Sequence, residues 1–322
     1  MALDLKDRKI LYEMDVNCRQ PISEIAKKVR LSKDTVLYRI RKLEKDNILL
    51  RYQAYINHGK LGYMSARINF KLQNTTPEKE KEIIEFIQKQ PFVGFFASVE
   101  GNIDLVVWVL VKTVNELNEF WEVITKKYIN NIERTEMGVY TKIIHYPRTF
   151  FLDNKRNTKE MIFTSVEQPE KIDKTDLEII KILTKNARES IVSIANKLKI
   201  STKTASSRIK SLEKRQIIRG YTALFNMEKL GYVYYKIYFD FQNTSPEKLK
   251  KLNGFIVNHP NIVYRDYVIS GHSCEIEVQV KNEKELRNFI DEMKKEFSSI
   301  IRSYEVLHYF KEHKMLSMPW VD

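Results

Sequence analysis

The sequence is poor in the features that build disulfide frameworks, membrane spans and secretion signals. Its only two cysteines, Cys18 and Cys274, argue against a disulfide framework and indicate a reducing compartment. No run of about 18 apolar residues is present, and the N-terminus lacks the charged-then-apolar order of a signal peptide. We therefore expect a soluble, cytoplasmic protein that does not contact the membrane.

Catalytic signatures are also missing. The six histidines are scattered along the chain, and no Gly-rich phosphate loop occurs. His272 and Cys274 make at most half of a metal site. The sequence therefore predicts no catalytic residues, no metal site and no cofactor.

Thirteen residues occur twice. The first copy, LSKDTVLYRIRKL, starts at Leu31, and the second, ISTKTASSRIKSL, starts at Ile200. In each copy a serine stands at an N-cap position, and a three-residue turn separates it from a preceding short helix, which predicts a helix-turn-helix. Apolar residues at helical spacing place one stripe of each helix against a core: Val36, Ile40 and Leu43, and then Ala205, Ile209 and Leu212.

The side of these helices that the apolar stripe leaves free is small, hydroxylated or basic. A helix start attracts phosphate oxygens through its free N–H groups and its dipole, and such side chains reach base edges. We predict that both helices bind double-stranded DNA through Ser32, Lys33, Thr35, Tyr38, Arg39 and Lys42 in the first copy and Ser201, Thr202, Lys203, Thr204, Ser207, Arg208 and Ser211 in the second. The alternative for Arg39 and Arg208 is an ion pair within the helical domain.

Positive charge is concentrated in two segments. The net charge of +13 divides into +6 over residues 1–60, +1 over 61–165, +6 over 166–229 and 0 over 230–322. A phosphate-binding surface requires this segregation, whereas a lysine-rich face kept only for solubility does not. The distribution therefore favours DNA as the partner and a nucleoid-associated location.

After a shared Leu-Gly-Tyr motif, the periodicity changes from helical to strand-like in both copies. Alternating strands, a Pro-started helix and a hairpin predict the order βαββαβ, a ferredoxin-like sheet with helices on one face. The predicted fold class is α+β, with two tandem units that each join a winged-type three-helix helix-turn-helix domain to a ferredoxin-like domain. The predicted boundaries are 1–60 and 61–146, a linker at 147–170, and 171–229 and 230–322. We interpret the extended segments 48–56 and 217–225 as hinges.

This order of elements resembles the Lrp/AsnC family of transcription regulators. The resemblance rests on an Asp-capped first helix, the segments LSKDTVLYRIRKLEKDNI and YQAYINHGKLGY, and a βαββαβ domain carrying Gly101-Asn102-Ile103-Asp104. It implies a helix-turn-helix that binds promoter DNA and a ligand-sensing, oligomerising (RAM) domain that often responds to an amino-acid effector. It also implies that sheets pair face to face, so this chain resembles a covalent pseudo-dimer that forms a homo-oligomer.

The hairpin that carries part of the resemblance is the candidate ligand site. The resemblance assigns ligand binding to Gly101, Asn102 and Asp104, but a tight hairpin needs Gly and Asn whether or not a ligand binds. The second copy has Cys274 where the first has Asp104. The first unit is therefore the better candidate for an effector.

Two turns that usually contain glycine in the family lack it here. Arg30 and Lys199 stand in the turn of the motif, and Asn47 and Gln216 follow the recognition helix. If the turns keep their geometry, these four residues adopt a positive φ, at a modest strain cost.

The free faces of the two helices differ in chemistry. Three of four matched positions change, namely Lys33 to Thr202, Tyr38 to Ser207 and Lys42 to Ser211. Because groove recognition depends on donors, acceptors and side-chain length, the helices should prefer different half-sites. We expect a non-palindromic operator or an imperfect inverted repeat.

Two alternatives stay open. Siroheme decarboxylases resemble paired Lrp-like units that hold a tetrapyrrole with basic and histidine side chains, and Arg265, His272 and the tyrosine-rich strand 232–238 fit that pattern. However, the characteristic segment of that enzyme is not matched, and the basic charge lies on the helical domains. The other alternative is a protein-interaction module with an inactive helix-turn-helix. We expect a regulator rather than an enzyme.

Overall fold

The first unit begins with three helices and a strand. They are α1 (Leu5–Asn17), α2 (Ile22–Val29), α3 (Lys33–Lys45) and β1 (Leu49–Ile56). The computed structural model describes residues 3–152, 160–164, 167–315 and 318. Helix α1 starts at Asp4 because the Asp4 carboxylate accepts a hydrogen bond from the Asp7 amide at 2.8 Å, which satisfies a free N–H of the first turn.

The ferredoxin-like domain of the first unit follows. Its elements are β2 (Met64–Leu72), α4 (Pro77–Gln88), β3 (Val93–Glu100), β4 (Leu105–Val111), α5 (Val114–Lys127) and β5 (Ile132–His145). Thr76 caps α4, and Pro77 occupies its first position, where the missing N–H costs nothing. The order is the predicted βαββαβ.

The described part of the predicted linker packs against the protein. A 3-10 turn at Thr149–Phe151 is buried, and strand β6 (Met161–Thr164) pairs with β5. The Arg148 guanidinium binds the buried Asp15 carboxylate of α1 at 2.6 Å. Residues 153–159 and 165–166 of this linker lie outside the described residues.

The second unit repeats the first. Its elements are α6 (Lys174–Lys185), α7 (Ile191–Leu198), α8 (Thr202–Lys214), β7 (Ile218–Phe225), β8 (Val233–Phe241), α9 (Pro246–Asn258), β9 (Ile262–Ile269), β10 (Cys274–Val280), α10 (Glu283–Phe297) and β11 (Ile301–Met315). The predicted fold class, two tandem helix-turn-helix plus ferredoxin-like units, is confirmed. Across the described ranges, no helix has the length and apolar character needed to cross a membrane.

The two ferredoxin-like sheets join into one closed sheet. Eight strands pair in the cyclic order β2-β4-β3-β11-β8-β10-β9-β5, and β5 returns to pair with β2. All of these pairings are antiparallel. Closing the ring gives each of these eight strands a partner on both sides along at least part of its length, which shortens the free edges where unwanted association begins.

Two long strands make the closure. Strand β5 pairs with β2 of its own unit along its first part and with β9 of the other unit along its second part. Strand β11 does the same with β8 and then β3. Strand β11 continues to Met315 because β3 supplies partners for its polar end.

The side chains packed on the outside of the closed sheet are apolar, whereas those on its inside are both apolar and charged. Helices α4 and α5 cover the outer face of one half, and α9 and α10 cover the other, each with its own apolar core. The inner faces of the halves meet around a smaller apolar cluster that includes Val99, Tyr238 and Leu307. Buried charged side chains also face inward, and they are described below.

The two helical modules form one body. Strand β1 pairs antiparallel with β7, and one apolar cluster contains core residues of both modules. Reciprocal hydrogen bonds cross the junction: the Cys18 amide donates to the Tyr221 carbonyl, and the Ala187 amide donates to the Tyr52 carbonyl, each at 3.1 Å. The interpretation of segments 48–56 and 217–225 as hinges is therefore wrong, because their backbones are paired with each other. We call this body the paired helical modules.

The four turn residues adopt the strained geometry that the sequence suggested. Arg30 and Lys199 end α2 and α7 with φ of 55° and 54°, and Asn47 and Gln216 have φ of 52° and 60°. The turn of each motif thus keeps its left-handed residue without glycine, at a small cost in conformational energy.

Candidate nucleic-acid interface

The apolar stripes of α3 and α8 anchor both helices to the core. The predicted core residues are at most 5% exposed: Val36, Ile40, Leu43, Ala205, Ile209 and Leu212. Because the stripe occupies one side of each helix, the orientation of the other side is fixed by packing. The candidate interface therefore sits on rigid elements.

Most of the predicted DNA-binding side chains are exposed to solvent. On α3 and its cap these are Ser32, Lys33, Tyr38 and Lys42, and on α8 and its cap they are Ser201, Thr202, Lys203, Thr204, Ser207 and Ser211. Tyr38 is 68% exposed, which is unusual for a tyrosine. Thr35, Arg39 and Arg208 are half-buried. Neither helix is covered by the sheets or by the other module.

The serines at the helix starts act as caps. The Ser32 hydroxyl accepts from the Thr35 amide at 3.1 Å, and the Ser201 hydroxyl accepts from the Thr204 amide at 3.0 Å. Each serine also hydrogen-bonds the threonine hydroxyl at 2.8 Å. These contacts stabilise the helix start and hold Thr35 and Thr204 close to it.

The two arginines bind carboxylates inside their own modules. The Arg39 guanidinium lies 2.7 Å from both Asp4 and Asp7, and Arg208 lies 2.7 Å from Asp173 and 2.8 Å from Asp176. These pairs tie the recognition helix to the start of the first helix of the module. The structure thus shows both arginines in the alternative arrangement, an ion pair within the helical domain. A direct contact of these arginines with DNA stays a prediction.

The same ion pairs hold the first helices in their capped form. The Asp7 amide, and after it Arg39, lowers the pKa of Asp4 below its usual value. In the second module the Asp176 amide and then Arg208 lower the pKa of Asp173. The charged carboxylate is therefore the form that caps each helix.

Four further cations belong to the same exposed surface and were not predicted. They are Arg41, Lys45, Lys210 and Lys214, all exposed on α3 or α8. Arg41 and Lys45 follow Tyr38 by three and seven residues, which places them on the same helix face. Helical spacing from Tyr38 would have identified them.

The hairpin proposed as a ligand site is used in packing. A side-chain Cβ on Gly101, which has φ of 152°, would meet the Leu307 side chain of β11 at 2.5 Å. The Asn102 amide donates to Glu305, and the Asp104 carboxylate accepts from the Leu72 amide at 2.7 Å and from Lys71 at 3.0 Å. None of the three residues lines either cavity described next, and the ligand role stays a prediction.

A cavity of about 150 Å³ lies inside the closed sheet, next to the paired helical modules. Strand β1 and strands of both halves contribute to its wall, which includes Tyr140, Tyr234, Tyr264 and Tyr309. Two carboxylates, Asp266 and Glu277, also line it. Within the described ranges, no group of three or more His, Cys, Asp or Glu side chains is arranged to hold a metal ion.

Arg265 and His272, two of the side chains considered for a tetrapyrrole, line a second cavity of about 230 Å³, whereas residues 232–238 do not. There Arg265 donates to the Asn253 amide oxygen at 2.6 Å, and the His272 ring hydrogen-bonds Asp240 at 3.1 Å. The His272 ring also stacks on Tyr238, with ring centres 4.5 Å apart. Each of these side chains already has a protein partner.

Comparisons with known proteins agree with two helix-turn-helix modules. Residues 3–44 match the AsnC-type helix-turn-helix domain, and residues 172–219 match a winged helix-turn-helix DNA-binding family. An uncharacterized HTH-type transcriptional regulator of Pyrococcus horikoshii is 32% identical over 144 residues, which are 44% of this chain and 89% of that protein. HTH-type transcriptional regulator FL11 of the same organism is 30% identical over 142 residues, 44% of this chain and 91% of that protein. Almost the full length of each relative thus matches less than half of this chain, about one helix-turn-helix plus ferredoxin-like unit.

A solved structure matches the full length. The crystal structure of the siroheme decarboxylase NirDL aligns with a TM-score of 0.66 at 15% identity, covering 98% of this chain and 94% of that one. At this identity the likeness establishes the tandem fold and carries no information on activity.

Proposed function

The chain belongs to the Lrp/AsnC family of helix-turn-helix proteins, and from that premise we propose that it is a sequence-specific DNA-binding transcription regulator. One polypeptide supplies both recognition helices of a pseudo-dimer. The observation that carries the proposal is the exposed basic face of α3 and α8, on the two segments that hold nearly all of the excess positive charge. Cationic side chains on rigid, exposed helices are suited to phosphates and to the major groove.

Differences between the two faces support an asymmetric operator. Tyr38 and Lys42 of α3 are replaced by Ser207 and Ser211 on α8, and both pairs are exposed. A long aromatic or cationic side chain and a short hydroxyl contact different base edges. We infer that the two half-sites differ in sequence.

A salt titration tests DNA binding itself. Affinity for a random duplex should fall steeply with salt, with a log–log slope of about −0.9 for each contacted phosphate. The double variant K33Q/K42Q should flatten that slope by up to about 2. The matched control is K126Q, on the exposed surface of α5, which should leave the slope unchanged.

The result separates a regulator from a protein-interaction module. If binding at low salt is undetectable, or if K126Q and K33Q/K42Q have equal effects, the paired helical modules are not the DNA-binding surface. Selection of bound duplexes then tests asymmetry, since a perfect palindrome would contradict different half-sites.

We propose that this chain is not a tetrapyrrole decarboxylase. Cavities for drug-sized ligands measure roughly 300–1,000 Å³, whereas the cavity inside the closed sheet measures about 150 Å³ and the cavity lined by Arg265 and His272 about 230 Å³. In the cavity inside the closed sheet, the carboxylates Asp266 and Glu277 also repel a substrate that carries carboxylates. Titration with a tetrapyrrole should leave its visible absorption unchanged, and a shifted, saturable spectrum would contradict this proposal.

Membership of the Lrp/AsnC family supports two more detailed proposals. We propose that an amino-acid effector modulates binding and that pseudo-dimeric chains assemble into a homo-oligomer. Light scattering tests the assembly through the molar mass, and the salt titration repeated with amino acids tests whether an effector changes the affinity for DNA.

A further inference from the structure

The cavity inside the closed sheet bridges the two kinds of domain. Tyr55 of β1 lines it, and its hydroxyl hydrogen-bonds the Tyr264 hydroxyl of β9 at 2.7 Å. A molecule in this cavity would therefore touch the paired helical modules and the sheet at once.

The charges enclosed between the two halves do not balance. Among the described residues, three carboxylates and two cations form one largely buried cluster, in which Glu277 is half-buried and the others are buried: Asp266, Glu275, Glu277, Arg67 and Lys236. Arg67 binds Glu275, with one contact at 2.8 Å. The Lys236 ammonium binds Asp266 and lies 3.2 Å from Glu277 and 3.5 Å from Glu275. One negative charge is left over, and an unpaired buried charge is costly.

Lys236 demonstrates that this environment stabilises an ammonium group. Burial by itself lowers the pKa of Lys236, but the carboxylates of Asp266 and Glu277 raise it well above its usual value. Even with Lys236 present, burial raises the pKa of Asp266 to about 7. The Lys236 ammonium, which Asp266 shares with Glu275 and Glu277, thus does not fully offset the burial of the Asp266 carboxylate.

The remaining wall suits an organic cation. The tyrosine rings 140, 234, 264 and 309 provide electron-rich faces, which attract ammonium groups. An engineered cavity of about 150 Å³ accepts benzene, which sets the size of a fitting molecule.

We propose that the cavity inside the closed sheet binds a small organic ammonium ion, held by Asp266 and Glu277 and enclosed by the tyrosine rings. The ammonium group completes the charge balance of the buried cluster, and the organic part fills the aromatic wall. Binding itself does not depend on DNA. Its regulatory consequence, transmitted through Tyr55 to the paired helical modules, rests on the proposed function.

Calorimetric titration of the full chain without DNA tests the site. The probes are benzylamine, its neutral analogue benzyl alcohol and its anionic analogue benzoate, at about pH 8, one unit above the pKa of Asp266. We expect one benzylamine per chain, with benzyl alcohol about tenfold to a hundredfold weaker and benzoate not bound, because a charge-assisted hydrogen bond is lost. Equal binding of amine and alcohol, or no binding of the amine, would overturn the proposal.

A charge-removing variant locates the site. Glu277→Gln should weaken benzylamine binding about tenfold or more and leave benzyl alcohol binding unchanged. The matched control is Glu296→Gln, on the outer surface of α10, which should not alter benzylamine binding. An unaltered benzylamine affinity in a folded Glu277→Gln protein would place the amine elsewhere and refute the assignment. If that variant does not fold, the probe series on the wild-type chain still decides.

Discussion

The recognition helices α3 and α8 are held in place by the same contacts but present different side chains to solvent. Each starts at a capping serine, buries three apolar residues and carries an arginine that binds two aspartates of its own module. On the exposed face, Tyr38 faces solvent in one helix and Ser207 in the other. The residues that anchor each helix to its module are therefore separate from the residues exposed for DNA recognition. The exposed residues can differ between the two helices while the anchoring contacts stay the same.

The largest expected effect is on the free energy of unfolding, and it tests whether α3 and α8 are anchored equally well to their cores. Ile40→Ala in α3 and Ile209→Ala in α8 each remove a buried side chain, so each should cost about 2–5 kcal/mol of unfolding free energy. Denaturant melts of the two variants measure this cost. A loss in only one of them would mean that the two modules are not packed alike.

The next effect concerns recognition. Replacing the exposed residues of α3 by those of α8, in the triple variant K33T/Y38S/K42S, should make the selected operator more symmetric. It should also flatten the salt slope by about 1 for each lysine that contacts a phosphate. Sequence selection and salt titration measure both changes. Unfolding free energy should stay within about 0.5 kcal/mol, since all three positions lie outside the core.

A smaller effect concerns the arginine pairs. Arg39→Met and Arg208→Met should each cost about 0.2–1 kcal/mol, because the arginine side chains are partly exposed and solvent screens the ion pairs. Thermal melts compare them with Lys45→Met, an exposed residue of α3. A cost for the arginine variants no larger than for the control would show that these pairs do not hold the helices.

The smallest effect is a pH dependence shared by both modules. The folded protein lowers the pKa of Asp4 and of Asp173, so their contribution to stability is present above the ordinary value of 3.8 and is lost as pH falls through the folded pKa. Asn is also a good cap but does not titrate. The double variant D4N/D173N should therefore lose less stability than the wild type as the pH falls below about 4. Urea melts at several pH values measure this. The same change of unfolding free energy with pH in the variant and the wild type would contradict the prediction.

Local patterns explain why the elements could be predicted. The repeat, the capping serines and the strand alternation are short-range features, and the elements of both units follow one another in the predicted order βαββαβ. The exposed face of each helix followed from the position of the apolar stripe. The pairing of Arg39 with Asp4 and Asp7 was only one of two alternatives, because sequence spacing does not fix which partner a long side chain takes.

The buried charge cluster could not be predicted for a different reason. Arg67, Lys236 and Glu275 occupy the polar positions of alternating strands, which ordinarily face water. Here they are enclosed because the inner faces of two sheets meet, and their partners come from four strands of the two units, β2 of the first and β8, β9 and β10 of the second. No local pattern distinguishes a solvated polar face from an enclosed one.

The sequence alone determined the duplicated unit, its helices and strands, and the segregation of positive charge onto two helical segments, since these depend on periodicity and composition within short windows. Only the tertiary structure decided that β1 pairs with β7, that β5 and β11 close the sheet across the two units, and that a tyrosine-lined cavity with excess negative charge lies inside. Those features arise from contacts between residues more than a hundred positions apart, such as Arg67 and Glu275. Such contacts are set by how whole elements pack, and no single segment encodes them.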